Sequence, residues 1–363
     1  MPAEYYIGLM SGTSLDGIDA VLTRFDTSTP AIATHFEPFP DPLRAELRDL
    51  LHPGSDEINR SAEAANELSR RYAEAVHVLL SRTSMASRDV RAIGCHGQTV
   101  RHNPERGFTI QLCNGALLAE LTGITVVCDF RSRDIAAHGQ GAPLVPAFHA
   151  AAFAHPDRPR AVVNLGGIAN VTHLAPKGPV TGFDCGPGNA LLDEWIAEQR
   201  GLAYDSDGAW AAQGTVLPTL LEALLADPYF AKVPPKSTGR EAFNLKWAHA
   251  HLYANYRPAD VQATFAELTA RCVADALHSF CPGVEQVFLC GGGANNADLV
   301  ARIARLVPGT EVGSTAALGI APDWVEALAF SWLARETLES RPGNLPSVTG
   351  ATGLRILGCV YPA

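Results

Sequence analysis

The sequence predicts an α/β protein of two related domains, and three observations carry that prediction. Strand-type and helix-type hydrophobic patterns alternate in both halves of the chain. A glycine-rich turn between two β-type runs, Tyr5 to Met10 and Ile18 to Phe25, returns about 155 residues later, where Ala161 to Leu165 leads through Gly166-Gly167-Ile168-Ala169-Asn170 into Val171 to Leu174. A third cluster, Gly291-Gly292-Gly293, follows the run Gln286 to Cys290 and precedes a helical pattern, a strand, glycine turn and helix order suited to nucleotide contact.

Taken in order, the first hairpin is followed by helical spacing at Leu43, Leu47 and Leu50 and again at Leu68, Tyr72, Val76, Leu79 and Leu80. Each predicts a helix laying one face on a sheet. Ala92-Ile93-Gly94 and Ile124 to Val127 read as buried strands, ending in the polar clusters His96-Gly97-Gln98 and Asp129 to Asp134. Ligands of open α/β sheets bind at such C-terminal strand ends. The alanine-rich stretch Pro143 to Ala154 predicts a helix crossing a domain boundary near residue 155. Beyond it come the Ala161 strand and helical patterns at Leu191 to Ile196, at Val261 to Phe280, and at Val325, Leu328, Trp332 and Leu333. Domains are expected at 1–155 and 156–363, with the final segment free to pack back on the first. The loop Pro234 to Arg240 is rigid and polar, open to reading as a phosphate or sugar contact or as a plain turn.

Composition narrows the function. Apolar residues make up 47% of the 363 and charged residues 18%, with no long polar tract, so the whole chain is expected to fold. A net charge of −10 disfavours nucleic-acid and anionic-membrane surfaces and favours a small-molecule ligand. The eight cysteines lack C-x-x-C spacing and read as reduced thiols. With neither a signal pattern nor an apolar run of about 18 residues, the expected compartment is the cytoplasm.

The first turn, Gly12-Thr13-Ser14-Leu15-Asp16-Gly17-Ile18-Asp19, is suited to phosphate. Gly12 and Gly17 can adopt backbone angles closed to other residues, so N–H groups can converge on an anion while the hydroxyls add donors. It is not a P-loop, which needs Lys-Ser/Thr after its last glycine and opens a helix. Asp16 and Asp19 suit either Mg²⁺ held through water or hairpin turn chemistry. Asp184 follows Val180 to Phe183 and precedes Cys185-Gly186-Pro187-Gly188-Asn189 and a helix, so it is expected at a strand tip near helix N–H groups. There it can serve as a general base or as an Asx-type turn residue.

The order of two phosphate hairpins and a triple glycine resembles the actin, sugar kinase and heat-shock chaperone superfamily. More narrowly, the chain resembles the anhydro-N-acetylmuramic acid kinase family. The match is carried by Met10 to Gly17, Gly94-Cys95-His96-Gly97-Gln98-Thr99, Gly139 to Pro146, Asn164 to Asn170, Asp184 to Asn189, Pro235-Lys236-Ser237-Thr238-Gly239-Arg240-Glu241 and Gly343 to Gly350. It spans nearly the whole chain. The resemblance implies two ribonuclease-H-like domains flanking a nucleotide and substrate cleft, with ATP and Mg²⁺ as cofactors. It implies Asp184 as catalytic base and nucleotide contacts at Gly12 through Asp19, Gly166, Gly167, Asn170, Gly291, Gly292 and Gly293. Sugar contacts fall on His96, Gln98, Asp129, Arg131 and Glu326, the Arg fork suiting a lactyl carboxylate. Asp16 and Asp19 are the metal candidates, with Asp184 also eligible.

Three departures stand out. Sugar kinases usually carry Asp where this chain has Met10, the family has a basic triplet where this chain has Arg131-Ser132-Arg133, and His138 replaces a common glycine before Gly139. The implied reaction converts 1,6-anhydro-N-acetylmuramic acid, ATP and water into N-acetylmuramic acid 6-phosphate and ADP, a step of peptidoglycan amino sugar recycling. An ordinary hexose or polyol kinase and a nucleotide-regulated clamp of the chaperone or actin type are the alternatives. The partners are then a small sugar and ATP, with neither nucleic acid nor membrane, and a homodimer is admitted.

Overall fold

A computed structural model describes residues 4–12, 14–27, 29–240, 242–253 and 255–363. The chain forms two compact units, Met1–Phe148 with Trp324–Ala363, and His149–Asp323.

The sheet of the first unit contains β1 (Tyr5–Met10), β2 (Gly17–Arg24), β3 (Ala31–Pro38) and β4 (Val90–Cys95). A separate ribbon pairs β5 (Gln98–Asn103) with β6 (Phe108–Leu112), and β7 (Val126–Cys128) returns to the sheet. The second unit holds β8 (Arg160–Leu165), β9 (Ile168–Leu174), β10 (Thr181–Pro187), β11 (Gln286–Cys290) and β12 (Glu311–Ser314). Strand β13 (Cys359–Tyr361) closes the edge of the first sheet against β7.

The two sheets share one topology. In the first, β3, β2 and β1 form an antiparallel meander, and β4 and β7 run parallel to β1. In the second, β10, β9 and β8 form the meander, with β11 and β12 parallel to β8. Each unit is thus ribonuclease-H-like, and the recurrence of the glycine hairpin in the sequence marks the first two strands of each.

Alternation along the strands sorts the faces of the first sheet. Ile7, Leu9, Ile18, Ala20 and Leu22 bury against Leu68, Tyr72, Val76 and Leu79 of the helix Glu57–Thr83. On the opposite face Gly8 and Gly94 admit the helix Val325–Leu338, where a methyl group on either glycine would run into the carbonyl oxygen of Ala327 or Phe330. In the second unit Val163, Leu165, Val171, Phe183, Val287 and Leu289 share a core with Phe265, Leu268 and Val273 of the helix Pro258–Phe280.

Strand β3 and the ribbon escape the hydrophobic pattern, because β3 is an edge strand that leaves Ile32 and Phe36 exposed and its polar residues half in solvent. The predicted helices appear at Asp41–Asp49, Glu57–Thr83, Val145–Phe153, Ala190–Arg200, Pro258–Phe280, Ala297–Leu306 and Val325–Leu338. Among the described residues no helix is long and apolar enough to cross a membrane.

Candidate active site

Asp184 lies within β10, not at its tip. The strand continues to Pro187, with a register shift between Asp184 and Gly186 where Gly186 has φ 154°. A side chain at Gly186 would also press on Phe230 at 2.7 Å and Cys272 at 3.1 Å, so this bulge needs glycine. The half-buried carboxylate accepts the Thr238 N–H on Oδ2 at 2.9 Å. Its backbone is pinned on both sides, since Tyr229 donates its hydroxyl to the Asp184 carbonyl at 2.7 Å and Asp184 N–H donates to the Lys236 carbonyl at 3.2 Å. The 234–240 loop therefore clamps Asp184. The N–H groups at the start of the Ala190–Arg200 helix serve another purpose: those of Gly188 and Ala190 bond the Gly167 carbonyl, and that of Asn189 bonds the Gly166 carbonyl.

Those bonds tie the second glycine hairpin to the helix start, and Asn189 Nδ2 adds a bond to the Leu165 carbonyl at 2.8 Å. Gly291, with φ 75°, and Gly293 turn tightly beside the same place, where a methyl on Gly293 would meet Leu165 at 2.6 Å and Asn189 Oδ1 at 2.8 Å. Gly292 opens the short 3₁₀ turn Gly292–Asn295 before the helix Ala297–Leu306. Register places Asn164, Asn170 and Asp184 in one row across β8, β9 and β10, so the three share a face of the sheet. Gly166, Gly167, Asn170, the triple glycine and Asp184 are thus gathered on one unit. The buried Asn164, whose Oδ1 has no partner among the described residues, joins them, although sequence reasoning assigned it no role beyond its place in the Asn164 to Asn170 segment.

The first hairpin differs from its expected geometry. Neither Gly12 nor Gly17 is left-handed; that conformation falls to Leu15, with φ 57°, whose N–H closes the turn on the Gly12 carbonyl at 3.3 Å. Gly17 instead makes room for Phe36 and Glu37 of β3, and a methyl on it would lie 2.6 Å from the Phe36 ring. Beside Gly12 the nearest atom to an added methyl is Ser14 Oγ at 3.7 Å, which leaves space on that side. Asp16 Oδ1 accepts from Ser14 Oγ at 2.6 Å and from Gly17 N–H at 3.0 Å, so the carboxylate is held within its own hairpin. Ile18 is buried in the core, whereas Asp19 is half-buried in β2 opposite Met10. Thr13 lies outside the described residues. Among the described residues no group of three or more His, Cys, Asp or Glu could hold a metal ion.

The predicted sugar contacts converge within the first unit. His96 follows β4, Gln98 opens β5 and Asp129 follows β7. His96 is 4% exposed, and its pKa is lowered to about 3 by burial and by the Arg131 charge. It is neutral. Its Nε2 accepts from Arg131 Nη2 at 2.9 Å, so Nδ1 carries the ring proton toward the Ser11 carbonyl at 3.3 Å. Arg131 also donates to the Gly141 carbonyl at 2.8 Å. Gln98 donates to the Gly12 carbonyl at 3.2 Å, tying this cluster to the first hairpin, and its buried Oε1 has no partner among the described residues. Phe330 packs on His96 at 4.7 Å between centroids, and Glu326 lies one turn earlier on the same face of the helix.

Two departures from the family pattern gain a physical reading. Ser132 donates its hydroxyl to Asp129 Oδ1 and so orients that carboxylate, which sits on a left-handed residue with φ 57°. His138 is exposed and left-handed, with φ 66°, the backbone state that favours glycine, so it occupies a turn. Sequence reasoning also passed over the buried Asp134. It accepts from Gly141 N–H at 2.8 Å, Asn344 Nδ2 at 2.7 Å and Thr349 Oγ1 at 2.8 Å, binding the 139–141 turn to the 344–349 segment.

A family model for anhydro-N-acetylmuramic acid kinase matches residues 4–363. The chain belongs to the anhydro-N-acetylmuramic acid kinase family. Relatives of that name include one from Nitrosospira multiformis, 55% identical with all of both chains covered, and one from Thiobacillus denitrificans, 56% identical with 99% of this chain and 98% of the relative covered. Solved structures similar at low identity include the (R)-2-hydroxyglutaryl-CoA dehydratase component A of Acidaminococcus fermentans, with 13% identity, a TM-score of 0.49 and coverage of 91% and 96%. A ROK family glucokinase from Streptomyces griseus, in complex with glucose and AMPPNP, has 14% identity, a TM-score of 0.42 and coverage of 92% and 99%.

Proposed function

We propose that this protein is an ATP-dependent sugar kinase that opens 1,6-anhydro-N-acetylmuramic acid with water and phosphorylates O6, yielding N-acetylmuramic acid 6-phosphate and ADP. The observation that carries the reading is full-length membership of the kinase family, in a chain whose Asp184 carboxylate accepts the Thr238 N–H while its backbone N–H and carbonyl bond Lys236 and Tyr229. Asp184 takes a proton from water as the water oxygen attacks the anomeric carbon. The C1–O6 bond breaks and its electron pair passes to O6. That oxygen attacks the γ-phosphorus, the bond to the β-phosphate oxygen breaks, ADP leaves, and Asp184 later returns its proton to solvent. Phosphoryl transfer of this kind depends on positioning and charge neutralisation.

We assign the phosphates to the turns at Gly12 through Asp19, at Gly166, Gly167 and Asn170, and at Gly291 through Gly293. The sugar falls to His96, Gln98, Asp129, Arg131 and Glu326, with neutral His96 orienting the Arg131 fork for a carboxylate. Mg²⁺ typically keeps most of its waters and takes one or two carboxylates. Asp16 and Asp19 are the carboxylates we assign to it, with Asp184 also eligible; the ion would neutralise phosphate charge. The cytoplasm is the compartment this reading implies.

The test is turnover in ¹⁸O-labelled water, with rapid trapping and a control of product incubated alone. Label is expected at the anomeric hydroxyl and none in the phosphoryl group. Phosphoryl label, or phosphorylated sugar with its bridge intact, overturns the reading in favour of an ATPase or an ordinary kinase.

A further inference from the structure

The Arg131 guanidinium has two anchors. Its Nε and Nη2 reach His96 Nε2 at 3.3 and 2.9 Å, and its Nη1 donates to the Gly141 carbonyl at 2.8 Å. Anchoring at two edges fixes the plane of the fork, and that plane decides whether a carboxylate can meet it with two parallel bonds. The first anchor belongs to the sugar cluster itself, whereas the second is only as firm as the turn that presents it. Asp134 holds that turn. Its carboxylate is fully buried, with Oδ2 accepting the Gly141 N–H at 2.8 Å and Oδ1 accepting Asn344 Nδ2 at 2.7 Å and Thr349 Oγ1 at 2.8 Å. The Gln140 N–H bonds the Thr349 carbonyl at 2.7 Å, so the same segment grips the turn a second time. Packing confines it further: a methyl on Gly139 would collide with the Asp134 carboxylate, and one on Gly141, at φ 67°, would lie 2.8 Å from Ile135. A buried polar chain therefore runs from the 344–349 segment through Asp134 and Gly141 to Arg131 and His96, all within the first unit.

We propose that Asp134 is a positioning residue that sets selectivity for a sugar bearing a carboxylate: by holding the Gly141 N–H it aims the Gly141 carbonyl, and through it the Arg131 fork, at the lactyl group. This rests on the assignment of Arg131 to that carboxylate. Three donors converge on the two Asp134 oxygens, which is why the position needs an acceptor at both. In Asp134→Asn the side-chain oxygen can keep Asn344 and Thr349, and the new NH₂ then faces the Gly141 N–H, donor against donor in a buried place. The bond lost is the one that holds the turn at the residue carrying Arg131.

The experiment measures Kd by calorimetry for 1,6-anhydro-N-acetylmuramic acid and for 1,6-anhydro-N-acetylglucosamine, the same ring without the lactyl ether, with KM for ATP and circular dichroism alongside. The proteins are wild type, Asp134→Asn, Thr349→Val, Thr349→Ser and Arg131→Met. A hydrogen bond to a charged group is worth about 10-fold or more in affinity. Asp134→Asn should therefore weaken the lactyl sugar by about 10-fold and the lactyl-free sugar by less than about 2-fold, with KM for ATP within about 2-fold of wild type. Thr349→Val, which exchanges only the hydroxyl for a methyl, should lose the same preference to a smaller degree and carries the test where Asp134→Asn does not fold. Thr349→Ser restores the hydroxyl and should match wild type. Equal weakening of both sugars in the folded variants, or of neither, while Arg131→Met abolishes the preference, overturns the role of Asp134 and leaves the Arg131 assignment in place. A preference retained in Arg131→Met, or absent from wild type, removes that assignment and the proposal together.

Discussion

Gly94→Ala should lift the Val325–Leu338 helix off the first sheet and disturb the His96–Arg131 cluster with it. The added methyl would sit 2.7 Å from the Phe330 carbonyl carbon and 3.0 Å from Ala334 Cβ, closer still to the Phe330 oxygen. Carbon atoms pack at about 3.5–4.0 Å, so the helix must retreat by about 1 Å. The partners are backbone and a methyl group, neither of which can swing aside. Overpacking of this kind costs about 1–3 kcal/mol, and each kcal/mol lowers Tm by about 2–4 °C in a unit of this size. The consequence for activity follows from Phe330, which packs on His96, and from Glu326 one turn away. A displacement of about 1 Å can cost on the order of 100-fold in rate. The assay is thermal melting together with kcat/KM for ATP-dependent turnover. Gly313→Ala is the control, since a methyl there meets nothing within 4 Å and its backbone is not left-handed. A Gly94→Ala protein with wild-type Tm and kcat/KM would refute the close-approach reasoning.

Gly12→Val should raise KM for ATP while circular dichroism stays native, because the space beside Gly12 is open to a ligand and not filled by protein; unchanged ATP affinity would count against phosphate binding there. Acid should weaken the fold through His96 and His149, both buried and both lowered to about 3 by burial, with Arg131 adding to the effect on His96. An unfolded histidine titrates near about 6.5, so between that pH and about 3 the unfolded state binds the extra proton. Stability is then present above about 6.5 and falls by about 1.4 kcal/mol per pH unit per histidine as pH drops. His96→Gln should flatten the Tm-against-pH curve across this range, and a curve parallel to wild type would show that His96 is not held neutral.

Short-range patterns in the sequence account for much of the local structure. The hairpins at β1–β2 and β8–β9 are legible because glycine turns punctuate continuous β-type runs, and those runs are apolar because the strands are buried. The long helices Glu57–Thr83 and Pro258–Phe280 are legible from their apolar spacing. Strand β3 and the β5–β6 ribbon are not, since edge strands with half-exposed polar residues carry little hydrophobic contrast. Residues placed at the C-terminal ends of strands, such as His96 and Asp129, were readable because chain direction alone orders them after an apolar run.

Long-range contact decided the rest. That Gly8 and Gly94 are landing points for a helix more than 230 residues away along the chain depends on the sheet bringing them side by side, at register positions that no local window contains. The clamp on Asp184 draws Tyr229, Lys236 and Thr238 from about 45 to 54 residues downstream, and Asp134 reaches Asn344 and Thr349 across 210 and 215 residues. Hydrophobic periodicity specifies which face a residue presents, because that is set by the local backbone repeat. Which polar partner meets that face, and therefore whether a carboxylate caps a turn or is clamped within a strand, is set by burial and pairing that exist only once the chain has folded.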